Sequence, residues 1–120
     1  MALAIATLTG LVAADPQYSF FETAIDHKNL SKGTYKMQYI VDEQYFNNVT
    51  EIKPRPILFY AGNEGAISDF YENSGFMTTT LADKMGALVV FAEHRFFGES
   101  WPFDKTIAYT SPYNTYLTVE

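Results

Sequence analysis

The sequence predicts an α/β fold, in which an antiparallel hairpin is followed by a parallel strand–helix–strand unit. Three observations carry this. Thr34 to Ile40 alternates with period two, and Ile57-Leu58-Phe59-Tyr60 and Ala87-Leu88-Val89-Val90-Phe91-Ala92 are continuous apolar runs. Between those runs lie a glycine turn and a stretch with helical spacing. Period two marks a half-buried strand, whereas an unbroken apolar run of four to six residues is the pattern of a strand covered on both faces.

The chain opens with MALAIATLTGLVAA, which holds no charged side chain and ends in small residues. Residues 1–14 read as a secretory signal peptide cleaved before Asp15, too short to span a bilayer. An apolar amino-terminal strand is the other reading of the same residues. Two N-glycosylation sequons fit a secretory route: Asn29-Leu30-Ser31 and Asn48-Val49-Thr50, both in polar segments.

From Thr34 the alternation sets Tyr35, Met37 and Tyr39 on one face and Lys36, Gln38 and Ile40 on the other. Asp42-Glu43 breaks it, and Gln44-Tyr45-Phe46 is expected to return as the short antiparallel partner. Asn47 to Pro56, with two prolines, reads as a surface loop. The first apolar run ends in Gly62-Asn63-Glu64-Gly65, a strong turn signal. Met77 to Met85 is expected to be helical, with Phe76, Leu81 and Met85 on one face and Gly86 as terminator. Strand, turn, helix and strand make one βαβ unit, whose crossover holds its strands parallel. The tail from Trp101 shows no clear period, and Thr118-Val119-Glu120 resembles the first turn of a helix. Two doubly covered strands need helices on both faces, and this stretch supplies roughly one. The fold is therefore expected to be incomplete, with exposed strand edges that favour aggregation.

Composition narrows the function. The 120 residues are 48% hydrophobic and 17% aromatic, against the signature of disorder. Eight basic residues against fourteen acidic ones give a net charge of −6, which argues against a nucleic-acid partner. There is no cysteine, and His27 and His94 have no partner at ligand spacing, so neither a metal nor a cofactor is expected.

Several segments in order resemble one family. They are Phe20 to His27, Ile57 to Gly65, Glu72-Asn73-Ser74-Gly75-Phe76-Met77, and Gly86 to Ser100 with its Glu93-His94-Arg95-Phe96-Phe97-Gly98-Glu99-Ser100 ending. Over residues 18 to 120 the chain resembles the post-proline serine peptidases, the family of lysosomal Pro-Xaa carboxypeptidase, dipeptidyl peptidase II and thymus-specific serine protease. The resemblance implies the amino-terminal part of an α/β-hydrolase peptidase domain over residues 15–120. Thr34 to Phe46 would be its first hairpin, and Ile57–Ala61 and Ala87–Glu93 its third and fourth strands. It also implies a serine-type exopeptidase acting on peptides with proline, secreted or lysosomal, without a membrane anchor and able to form a homodimer when complete.

In such hydrolases the triad runs serine, aspartate, histidine, with the serine on an elbow after the fifth strand. No Gly-x-Ser-x-Gly occurs in this sequence, so the triad is expected beyond Glu120 and the 120 residues alone are expected to be inactive. What the segment offers is the loop after the third strand, where one backbone N–H helps to hold the tetrahedral oxyanion. Gly62, Asn63, Glu64 and Gly65 are the candidates, with the amide of Asn63 or Glu64 as donor and the glycines allowing close approach and positive φ. A plain strand-to-helix turn is the bland reading of the same residues. His94 ends a buried strand, where active sites gather, yet the family's histidine comes last in the chain, so His94 is expected to be structural. Arg95 and Glu99 are expected to pair with each other or with neighbouring loops. Phe96 and Phe97 are candidate walls of an apolar pocket for proline, with core packing as the alternative.

Two rival functions stand beside the peptidase. One is a non-catalytic secreted fragment or pseudoenzyme acting by binding. The other is a different α/β-hydrolase, such as a lipase or proline iminopeptidase, and the lipase is disfavoured by the lack of an HGG-type motif.

Overall fold

The structure, a computed structural model, describes residues 15–46 and 54–118. The expected signal peptide, the sequon at Asn48 and the last two residues lie outside the described residues.

Four strands form one mixed sheet in the order β1-β2-β4-β3. They are β1 (Gln17–Ala24), β2 (Thr34–Asp42), β3 (Ile57–Ala61) and β4 (Leu88–Ala92). The two apolar runs lie side by side and parallel, with Ile57 opposite Leu88 and Ala61 opposite Ala92. β2 is antiparallel to β4, with Ile40 opposite Phe91.

The hairpin differs from the expected one. Thr34–Asp42 pairs antiparallel with β1, Gln17 opposite Val41 and Ala24 opposite Thr34, while Gln44 to Phe46 forms a turn. The reason is length. Eight paired residues of β1 satisfy far more backbone than three residues after Asp42 can. Asp42 also closes its own turn, its Oδ1 accepting from the Gln44 amide at 2.8 Å.

Between β3 and β4 the chain forms α1 (Ile67–Glu72), which the sequence reading passes over, and then a second helix. The latter begins with π geometry over Phe76–Leu81 and ends as α2 (Ala82–Met85). The Ala82 amide donates to the Met77 carbonyl, the five-residue step of a π turn. That wider turn changes which side chains face inward. Met77, Thr78 and Ala82 pack toward the sheet, whereas Phe76 is 68% exposed and Met85 39% exposed, so the expected Phe76/Leu81/Met85 face is not the buried one. Gly86 ends the helix in the left-handed conformation, φ 57°, as expected.

The core lies on one face of the sheet. Ile40, Val89 and Phe91 pack with Ile67 and Ala82, flanked by Leu58, Tyr60, Phe70 and Tyr71. Phe91 stacks on Tyr60 at 4.7 Å and meets Tyr71 edge-on at 5.3 Å. Alternation carries the other side chains to the opposite face, where Ile57 is 62% and Phe59 60% exposed. The apolar run of β3 is thus covered on one face rather than two. On β2 the polar-looking row, ending in Ile40 and Asp42, faces the helices, and Tyr35, Met37 and Tyr39 face away.

Candidate functional site

The carboxyl ends of β3 and β4 meet at a narrow backbone crossing. Gly62 donates its N–H to the Ala92 carbonyl at 2.7 Å. A Cβ on Gly62 would lie 2.5 Å from the His94 nitrogen and 2.6 Å from the Ala92 oxygen. Only glycine fits between two backbones that close. Neither Gly62 nor Gly65 has positive φ; among the described residues the left-handed glycines are Gly33, Gly86 and Gly98. Of the two freedoms that glycine allows here, close approach is the one Gly62 uses.

The loop's amides are unequally used. Glu64 N–H donates to the Asn63 side-chain oxygen at 2.8 Å, and Gly65 N–H to the Asn63 carbonyl at 2.8 Å. Among the described residues the Asn63 N–H has no acceptor, so of the two expected donors it is the available one. Asn63 and Glu64 are both exposed.

Glu93, the first residue after β4, is buried at 3% exposure and stands at the centre of this end of the sheet. Its Oε1 accepts from the Ile67 N–H at 2.9 Å. That amide opens α1, where no intrahelical acceptor exists and Ala66 offers no side-chain cap, so Glu93 caps the helix from another strand. Its Oε2 accepts from the Glu99 N–H at 2.9 Å and from the Ser100 hydroxyl at 2.7 Å. Ser100 Oγ in turn accepts from the Gln38 N–H of β2 at 2.8 Å. Gly98, at φ 50°, leaves room for the carboxylate; a Cβ there would fall 1.9 Å from Oε1. Sequence reasoning quoted Glu93 within its motif without a role. A carboxylate closing a buried strand run was the available signal, but its partner Ile67 lies 26 residues away.

His94 points to the other side. Its Nδ1 lies 2.7 Å from the Arg95 carbonyl, and its ring meets Phe97 at 5.5 Å. It helps to line a cleft of about 310 Å³, with Gly62, Ala92, Phe59, Tyr35 and His27. Arg95 does not pair with Glu99. Its guanidinium donates to the Ile25 carbonyl at 2.8 Å and lies over the Tyr35 ring at 5.5 Å, while Glu99 stands 4.0 Å from Lys105. Burial raises the Tyr35 hydroxyl pKa, against the opposing pull of Arg95.

Phe96 has no exposed surface and packs against Trp101, Phe103 and Tyr109. It adopts φ 71°, a left-handed conformation uncommon for a bulky residue, and its backbone is held by the Ser100 carbonyl and the Tyr109 hydroxyl. Phe97 is half-buried beside His94. Asn29 is exposed, and its side-chain oxygen accepts from the Ser31 hydroxyl at 2.6 Å. Among the described residues no cluster of three or more His, Asp or Glu forms a metal site, and no helix is long and apolar enough to cross a membrane.

Comparison with known proteins follows the same segments. A family model described as serine carboxypeptidase S28 matches residues 23–113. The chain is similar to the human lysosomal Pro-X carboxypeptidase, 37% identical over 115 residues, covering 93% of this chain and 22% of that protein. It is 51% identical over 70 residues to the Caenorhabditis elegans prolyl carboxy peptidase like protein 5, covering 58% of this chain and 13% of that one. To the serine protease vicPa of Bipolaris victoriae it is 34% identical over 85 residues, 69% of this chain and 15% of that protein. The chain thus spans about a fifth of the length of the curated relatives it matches most extensively.

Proposed function

The chain belongs to the serine carboxypeptidase S28 family, and from that premise we propose that it is the amino-terminal part of an α/β-hydrolase that cleaves peptides after proline through a serine acyl-enzyme. Of the two specificities open to the family, carboxypeptidase is favoured by the names of the relatives. The serine, aspartate and histidine are supplied by sequence beyond Glu120. This segment supplies one oxyanion donor, the Asn63 N–H. The observation that carries this assignment is the hydrogen bonding of the loop after β3, where the amides of Gly62, Glu64 and Gly65 are engaged and that of Asn63 is not. Phe97, packed on the His94 ring behind the cleft lining, is the other aromatic candidate for a proline pocket. The protein travels the secretory pathway to the lysosome or the exterior, with residues 1–14 as its signal peptide and Asn29 and Asn48 as glycan acceptors.

The donor is tested by Asn63→Pro in the full-length polypeptide, since proline removes the backbone N–H while also fixing φ. With an Xaa-Pro substrate at acidic pH, kcat is expected to fall by about 100-fold or more, the usual effect of losing one oxyanion donor. Asn63→Ala keeps the amide and is expected to retain most of the rate. Equal activity of Asn63→Pro and wild type would remove Asn63 from the site. For the glycans, expression through a secretory host should give a product whose mass falls on enzymatic deglycosylation, and Asn29→Gln should lessen that fall. A product of unchanged mass counts against both acceptors.

A further inference from the structure

We infer that Glu93 is a positioning residue, a buried carboxylate clamp that holds the candidate oxyanion loop and the 94–100 loop in fixed relation at the end of β4. The inference rests on the peptidase reading for its catalytic consequence, and on the geometry alone for the clamp itself.

The loop after β3 is fastened at two points, both on β4 or the residue that follows it. At its start the Gly62 N–H is bonded to the Ala92 carbonyl, and glycine lets the backbones close to contact. At its end the Ile67 N–H is bonded to Glu93 Oε1. Ile67 is itself fully buried in the core, so this second fastening is tied to the packed interior. Asn63, with its unengaged amide, lies between the two points. The other oxygen of the same carboxylate holds Glu99 and Ser100, and through Ser100 the Gln38 N–H of β2. One side chain therefore sets the spacing of the two loops that follow β3 and β4.

A carboxylate suits this task because its neighbours are all donors. Oε1 faces one N–H, and Oε2 faces an N–H and a hydroxyl that donates to it while accepting from Gln38. Glutamine in the same place has to turn its NH2 toward one of these groups, setting donor against donor. Either the Ile67 end of the loop or the Glu99 end is then released. A displaced loop costs rate rather than substrate affinity, since a shift of about 1 Å in a catalytic group lowers turnover by about 100-fold.

The experiment uses the full-length polypeptide, comparing wild type, Glu93→Gln and Tyr71→Phe. Tyr71 stands in the last turn of α1 and bonds Asp42 rather than Glu93, and its substitution controls for loss of stability as such. Glu93→Gln is expected to lower kcat by about 10- to 100-fold while KM stays within about twofold, and Tyr71→Phe to leave both near wild type. Amide exchange over residues 62–70, followed by mass spectrometry, provides the readout that needs no activity. In wild type the Ile67 amide should exchange at least about tenfold more slowly than that of Asn63, because its bond to Glu93 must open before it can exchange, whereas the Asn63 amide is exposed and unbonded. Glu93→Gln should abolish that protection. Should Glu93→Gln yield no folded protein, the wild-type exchange decides by itself, and an unprotected Ile67 overturns the clamp. An unchanged kcat in a folded Glu93→Gln protein overturns the positioning role. Lack of turnover by wild type overturns instead the peptidase reading, and the exchange comparison still decides the clamp.

Discussion

At the scale of single residues, the end of the sheet is governed by contacts that leave no latitude. Gly62→Ala puts a Cβ against two backbone atoms, which cannot yield as a side-chain tip can. It is expected to destabilise the fold by about 1–3 kcal/mol, in the range of core overpacking, and denaturant unfolding measures it. An unshifted midpoint would mean that the crossing of β3 and β4 is looser than the structure has it. Tyr71 makes a different kind of contact, its hydroxyl donating to the buried Asp42 at 2.7 Å. Burial first, and the Asp42 bond second, hold the Tyr71 pKa well above its ordinary value. The folded state therefore keeps a proton that the unfolded chain gives up near pH 10. The resulting stabilisation is whole below that pH and is lost as the pH climbs past it. Tyr71→Phe should cost about 1.5–3 kcal/mol at neutral pH, as for a bond to a charged acceptor, and should flatten the alkaline loss of stability. An alkaline unfolding curve identical to wild type would contradict this. The glycine turn at 62–65 was legible in the sequence as a turn. Its physical reason was not, because the neighbour that excludes a Cβ is some thirty residues further on.

At the scale of elements, the two apolar runs and the helix terminator at Gly86 were plain from pattern alone. β1 was not, since Tyr18, Phe20 and Phe21 place aromatics on both of its faces and blur the alternation. Nor was the π turn at Phe76–Leu81, where hydrogen-bond register overrides the 3.6-residue spacing by which the helix face was assigned. The same runs were read as covered on both faces, because an unbroken apolar sequence cannot say how many layers are in place. Their faces are sharply unequal in this chain: Phe91 is fully buried, whereas Phe59 on neighbouring β3 is 60% exposed. Phe91→Ala is accordingly expected to cost about 3–5 kcal/mol, as for a phenylalanine removed from a core. Phe59→Ala in the 120-residue chain should change stability by about 0.5 kcal/mol or less, as for an exposed position. Equal losses at the two sites, measured by denaturant titration, would show that the Phe59 face is also covered.

For the whole molecule, the proposed function rests on what gathers at one end of the sheet. The sheet end brings together Gly62, an unengaged Asn63 amide, the Glu93 carboxylate and a cleft beside His94. Family membership follows from the same residues, since the model match over 23–113 contains both the turn and the Glu93–Ser100 stretch. On the proposed reading these groups orient and stabilise a developing oxyanion, and the full-length polypeptide supplies the nucleophile and base. Turnover of a fluorogenic Xaa-Pro substrate is the measurement that meets this account most directly, carried out at acidic pH on the full-length polypeptide and on residues 1–120 separately. The account predicts turnover by the full-length protein, abolished by a serine-directed covalent inhibitor, and none by the 120 residues. Serine-dependent turnover by residues 1–120, or a folded full-length protein that leaves the substrate intact, would contradict it.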